Sequence, residues 1–77
     1  MPFQITRIET DARNSVIVRQ ATQPLFELEQ DALALAEFDA ARAGEDCGFE
    51  PATNSFWAKL PDGLEVRFVV EEIELAA

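Results

Sequence analysis

Eight carboxylates stand between Glu27 and Glu50: Glu27, Glu29, Asp31, Glu37, Asp39, Glu45, Asp46 and Glu50, with Arg42 as the lone base among them. Paired carboxylates can serve as general acid and base, and a set of them can hold calcium. Neither chemistry fits this spacing. With Glu27 as the first position of a calcium loop, the required glycine falls on Ala32 and the bidentate glutamate on Phe38. Glu27 and Asp31 are spaced by one helical turn, but on a face that reads as solvent-exposed and implies no cleft for a substrate.

Other reactive side chains are scarce. The chain has one cysteine, Cys47, and neither histidine nor tyrosine. An internal disulfide, a Cys/His metal site and a Cys–His or Ser–His nucleophile therefore all lack a partner residue. Cys47, beside Gly48 and among acids, reads as a small loop residue. The expectation is a protein without enzymatic activity, cofactor or metal.

Net charge is −9. Nucleic acids and anionic membranes are bound by lysine and arginine that neutralise phosphates, so the balance disfavours both as direct partners. An acidic excess steers a protein toward basic surfaces instead. No apolar run approaches the roughly 18 residues of a membrane span. The start, MPFQITRIET, lacks the features of a signal peptide, which gives a cytoplasmic expectation. With 77 residues, 48% of them hydrophobic, residues 1–77 read as one small domain with a modest core.

The elements that must carry these charges follow from patterning. Phe3 to Glu9 alternates roughly, with Ile8 out of phase, and Ser15 to Ala21 is strongly β-branched. Asp11 to Asn14 supplies turn residues, so these segments read as a hairpin with two registers open. A four-residue loop pairs Ile8 with Ile17, and a three-residue loop pairs Ile8 with Val16. Thr22-Gln23-Pro24 is a helix start signal, with Thr22 the better cap and Pro24 in the first turn. The helix is expected to run to Ala43 and to stop at a left-handed Gly44. Leu25, Leu28, Ala32, Leu35, Ala36, Ala40 and Ala43 share its apolar face, which leaves Phe38 pointing outward, either covered by the loop after the helix, the reading favoured for a small protein, or free to contact a partner.

Glu45 to Ser55 reads as a long connection carrying three acids and Phe49. NSFWAKL and LEVRFVV then flank Pro61-Asp62-Gly63, which suits a three-residue hairpin loop with Gly63 left-handed. That register pairs Leu60 with Leu64, Ala58 with Val66 and Phe56 with Phe68 on one face. On the other it pairs Lys59 with Glu65 by charge and Trp57 with Arg67 by cation–π contact. Beyond Val70 the alternation changes phase, as a bulge or an extension past the sheet would produce. The order β-β-α-β-β implies an α+β domain, a four-stranded, mainly antiparallel sheet with one helix on one face.

Charge is segregated along this frame. The net is +1 for residues 1–26, −7 for Glu27 to Glu50, zero for residues 51–70 and −3 beyond. Glu37, Asp39, Glu45 and Asp46 crowd the negative end of the helix dipole, at roughly 0.3–1 kcal/mol each at low salt. Charges kept at a local cost are the ones to suspect of a function. The candidate partner-binding residues are Glu27, Asp31, Glu37, Asp39, Glu45, Asp46 and Glu50, with Phe38 and Trp57 as apolar contacts.

In its small size, acidity, lack of catalytic motifs and α+β pattern the chain resembles the small acidic phage-encoded anti-CRISPR proteins, some of which imitate DNA. ELEQDALALAEFDAARAGEDCGFE and VVEEIEL carry the likeness. It implies a protein target, such as a nuclease or CRISPR surveillance complex, occupied at its nucleic-acid-binding site. No motif matches, so no family residue is carried over. The other reading is a small regulatory or assembly module that forms a homodimer, or binds a partner, through its open sheet face or an edge strand.

Overall fold

The computed structural model describes residues 2–11, 13, 15–21 and 25–74. Its elements are β1 (Phe3–Thr10), β2 (Val16–Ala21), α1 (Glu29–Ala43), β3 (Cys47–Glu50), β4 (Ser55–Lys59) and β5 (Glu65–Glu72). The strands form one antiparallel sheet in the order β2-β1-β5-β4-β3, with α1 on one face. The α+β architecture is as the sequence implies, but the sheet has five strands rather than four.

The extra strand is β3, which forms within the expected long connection. It pairs with β4 from Cys47↔Ala58 to Glu50↔Ser55. Two side-chain fits hold it there. A Cβ on Gly48 would lie 2.9–3.1 Å from the indole of Trp57, so the missing side chain lets that ring lie directly on the strand. One residue on, the rings of Phe49 and Phe56 meet at 4.8 Å between centroids. The turn is closed by Asn54, which adopts a left-handed φ of 51° and donates from its side chain to the Val70 carbonyl at 3.2 Å. Asparagine tolerates that conformation better than most residues.

The helix begins later than expected. Phe26 exchanges two backbone hydrogen bonds with Phe3, at 2.7 and 2.9 Å, and this extended bridge holds residues 25 and 26 out of any helix. Long-range pairing has overridden local propensity. Leu28 is the cap residue, without a side-chain cap bond, and Glu29 and Asp31 occupy the first turn, where the helix dipole favours acids. Leu25 and Leu28, assigned to the apolar face, are exposed instead. The proposed Thr22-Gln23-Pro24 cap lies outside the described residues.

At the other end, Gly44 is not left-handed: its φ of −164° and ψ of 156° are extended. Glycine is needed there for a different reason. A Cβ at Gly44 would collide with the carbonyl oxygen of Lys59, so the chain leaving the helix runs hard against the end of β4.

Ala32, Ala36 and Ala40 are fully buried and let α1 sit close on β5 and β4. Beneath them lie Ile5, Ala58, Val66, Phe68 and Val70, with Phe56, Leu33 and Leu35 at the margins. The helix only brushes β1 and does not cover β2.

The β4–β5 hairpin has the expected register: Phe56↔Phe68, Trp57↔Arg67, Ala58↔Val66 and Lys59↔Glu65. Gly63 is left-handed at φ 89°. Its charged side chains choose other partners. Arg67 turns along its own strand to Glu65 (3.1 Å), and Lys59 reaches Asp46 (3.9 Å). Beyond Val70, β5 neither bulges nor leaves the sheet; Glu71 and Glu72 pair in sequence with Gln4 and Phe3.

Neither register offered for the first hairpin is the one adopted. Ile8 pairs with Arg19, and a bulge lets Val16 pair with Thr10 while Val18 pairs with Glu9. The connection spans residues 11–15, where the Asp11 carboxylate accepts from the backbone N–H of Arg13 (2.8 Å) and of Ser15 (3.0 Å).

Candidate functional site

The register divides the charged side chains between two surfaces. Alternation along the paired strands puts Arg19, Arg67 and Lys59 on the sheet face away from the helix, beside Ile8, Val69 and Trp57. These are three of the six bases in the chain. On the opposite side, α1 and its two flanks carry Glu27, Glu29, Asp31, Glu37, Asp39 and Glu45 against Arg42 alone. The excess negative charge is therefore concentrated on the helix side.

The structure sorts the acids of this segment further. Asp46 is drawn to Lys59. Glu50 folds over its own turn, accepting from the Ala52 N–H at 3.2 Å. Asp39 is half-buried in a shallow pocket of about 370 Å³ that it shares with Arg7, Arg42, Ala43 and Phe68. Arg7 there pairs with Glu9 at 2.6 Å. Glu27, Asp31, Glu37 and Glu45 are exposed and make no ion pair among the described residues.

These four residues do not form the regular helical row that their numbering suggests. Glu27 precedes the helix, so the Glu27–Asp31 pair is not a pair at helical spacing. Within α1 the acids are Glu29, Asp31, Glu37 and Asp39, and no two of them are separated by three or four residues. Asp31 lies on the outward line of the helix about two turns before Phe38. Glu37 faces the β3 side, where with Ala40, Ala41, Cys47, Gly48, Phe49 and Phe56 it lines a groove of about 320 Å³.

Phe38 is 57% exposed, and the Arg42 guanidinium stands 5.5 Å from its ring centroid. No loop covers it. Phe49 is 44% exposed at the mouth of the β3 groove. Trp57 is half-buried on the other sheet face, its ring laid over Gly48, and is thus distant in role and position from the helix-side acids. Phe49 is the apolar residue that sequence reasoning left in a loop. Its spacing from Phe56 across Pro51-Ala52-Thr53-Asn54 was the signal for a hairpin.

Among the described residues no three histidine, cysteine or acidic side chains converge into a group that could hold a metal ion. No helix among them is long and apolar enough to cross a membrane. The fold and the site together define a small acidic α+β protein, with one alanine-faced helix on a five-stranded antiparallel sheet. Comparison with protein-family models, curated proteins and solved structures finds no match to this chain.

Proposed function

We propose that this is a non-enzymatic binding protein that uses the outward side of α1 and the exit from it to occupy a basic site on a partner protein. The observation that carries the reading is the exposure of Phe38 on the outward line of α1 that it shares with Asp31, on the side of the protein where Glu27, Asp31, Glu37 and Glu45 are exposed and have no ion pair among the described residues. An exposed apolar ring, with Arg42 over it and unpaired carboxylates on the same side of the protein, suits a surface that offers both lysine or arginine and an apolar recess. Charge supplies long-range attraction and orientation, while burial of the ring supplies a short-range anchor.

Basic grooves of this kind most often bind nucleic acid, so the partner is a protein whose own ligand is DNA or RNA, and the effect is inhibition by exclusion. A nuclease or a CRISPR surveillance complex is the kind of target this implies. The sheet-face bases Arg19, Lys59 and Arg67 are left on the far side of the protein, pointing away from that partner.

The test is competition. Protein retained on the immobilised chain and eluted by salt is purified, and its nucleic-acid binding is measured with and without this protein. Mutually exclusive binding, lost when Phe38→Ala is combined with Glu37→Gln and Glu45→Gln, is the expected result. A ternary complex in which the nucleic acid stays bound would overturn the exclusion mechanism.

A further inference from the structure

The sheet ends in two edge strands, and they are not protected to the same degree. β3 is a short run, Cys47–Glu50, closed by Pro51 and bounded by Glu45, Asp46 and Glu50. Shortness, acids and proline are the usual devices that keep an edge from pairing with another chain. β2 spans Val16–Ala21, pairs among the described residues with β1 alone, and is not covered by the helix. It contains no acid and no proline. Val16 and Ile17 are 53% and 51% exposed. The bulge lies at the turn end, with Ile17 the extra residue between Val16 and Val18, which face Thr10 and Glu9, and the pairing from Val18 to Ala21 is regular.

We infer that β2 is a self-pairing edge, and that two copies of this chain join along it as an antiparallel pair about a two-fold axis. The occupant follows from charge and symmetry. A basic partner of the kind proposed above finds no carboxylate on β2. What the strand does offer is unpaired backbone donors and acceptors flanked by β-branched side chains, and a strand of the same type satisfies both. Two chains of net charge −9 repel over most of their surfaces. β2 lies at the opposite end of the sheet from the acidic helix exit and β3, so it is where two copies approach with least repulsion.

A two-fold axis imposes the antiparallel sense, since one strand edge then meets its own image. Centred on Val18, the pairing sets Ile17 opposite Arg19 of the second copy and keeps the two Arg19 side chains from facing each other directly. The product is a continuous ten-stranded sheet with both helices on the same face. The two acidic helix surfaces would then act side by side, although the dimer stands on β2 alone and not on the identity of any partner.

Sedimentation equilibrium of the wild-type chain over micromolar to hundred-micromolar concentrations tests this, against a monomer mass of 8.6 kDa. A species of twice that mass is expected, and Val16→Lys combined with Ile17→Lys is expected to weaken it by at least about tenfold. Phe49→Lys on the other edge leaves it unchanged. Amide hydrogen exchange of the wild type supplies a readout that needs no variant: protection of residues 16–21 rises with protein concentration, and that of residues 47–50 does not. A wild type that stays monomeric throughout, or a dimer abolished by Phe49→Lys but not by the β2 pair, overturns the inference.

Discussion

The two ends of the sheet solve the same problem in opposite ways. Both are edge strands with one unpaired side, which in any protein is an invitation to another chain. At the β3 end the invitation is withdrawn by acids and by Pro51, and one of those acids, Glu45, belongs to the surface through which we propose a basic partner is held. At the β2 end there is neither acid nor proline, and the β-branched side chains are left in solvent. In our proposals one end recognises by backbone pairing, while the helix side recognises by charge, and the two modes are kept on separate parts of the protein.

The sharpest way to break the β3 end is Gly44→Ala. The added methyl meets the Lys59 carbonyl, a backbone atom that cannot move without unseating β4, and a loss of about 3 kcal/mol is expected in urea unfolding. Stabilities of small domains are only roughly 5–15 kcal/mol, so this variant unfolds at much lower denaturant. Substitution of Gly48 by alanine is milder. The contact there is with a side chain that can shift, and about 1 kcal/mol is expected. Because Trp57 is the sole tryptophan, its fluorescence emission should move to the red as the ring lifts off the strand. No such emission change is expected from variants on β2.

The contrast predicts near-silence elsewhere. Ile17→Lys, half-exposed on β2, should change monomer stability by less than about 0.5 kcal/mol, measured by thermal melts at low concentration. Lys59→Ala removes a 3.9 Å pair with Asp46 whose members are both largely exposed, and a change below about 0.5 kcal/mol is expected there too. A large effect of Lys59→Ala would mean that the Asp46 pair, and not the fit of Gly44 and Gly48, seats β3.

Some of this was legible in the sequence, and the reasons differ by element. The β4–β5 hairpin was, because Pro61-Asp62-Gly63 fixes a loop length and the alternation of both strands agrees with it. The alanine stripe of α1 was, because Ala32, Ala36 and Ala40 recur at helical spacing. The helix start was not, since what keeps residues 25 and 26 extended is a backbone bridge to Phe3, more than twenty residues away. β3 was hidden because a strand of one glycine, one cysteine, one aromatic and one acid has no pattern of its own. Its place is set by Trp57 and Phe56 on the neighbouring strand. The first hairpin was misjudged because a bulge shifts register without leaving a mark in the alternation.

The site divides in the same manner. That residues 27–50 concentrate the charge is visible by counting. Which acids are neutralised is not, because Asp46 and Glu50 find partners through tertiary and turn contacts: Lys59 on β4, and the Ala52 N–H. The acids proposed for recognition are thereby narrowed to Glu27, Asp31, Glu37 and Glu45, which are exposed and have no ion pair among the described residues.

Binding to the captured partner, measured by titration calorimetry from about 50 to 500 mM salt, tests the acidic surface most directly. Affinity should fall steeply as salt rises, by at least about tenfold over this range, because exposed charges are screened within a few ångströms at high salt. The Glu37→Gln and Glu45→Gln pair should bind more weakly at low salt and show a shallower dependence. An affinity that is flat across that range and unchanged by the two substitutions would contradict recognition through the helix-side acids.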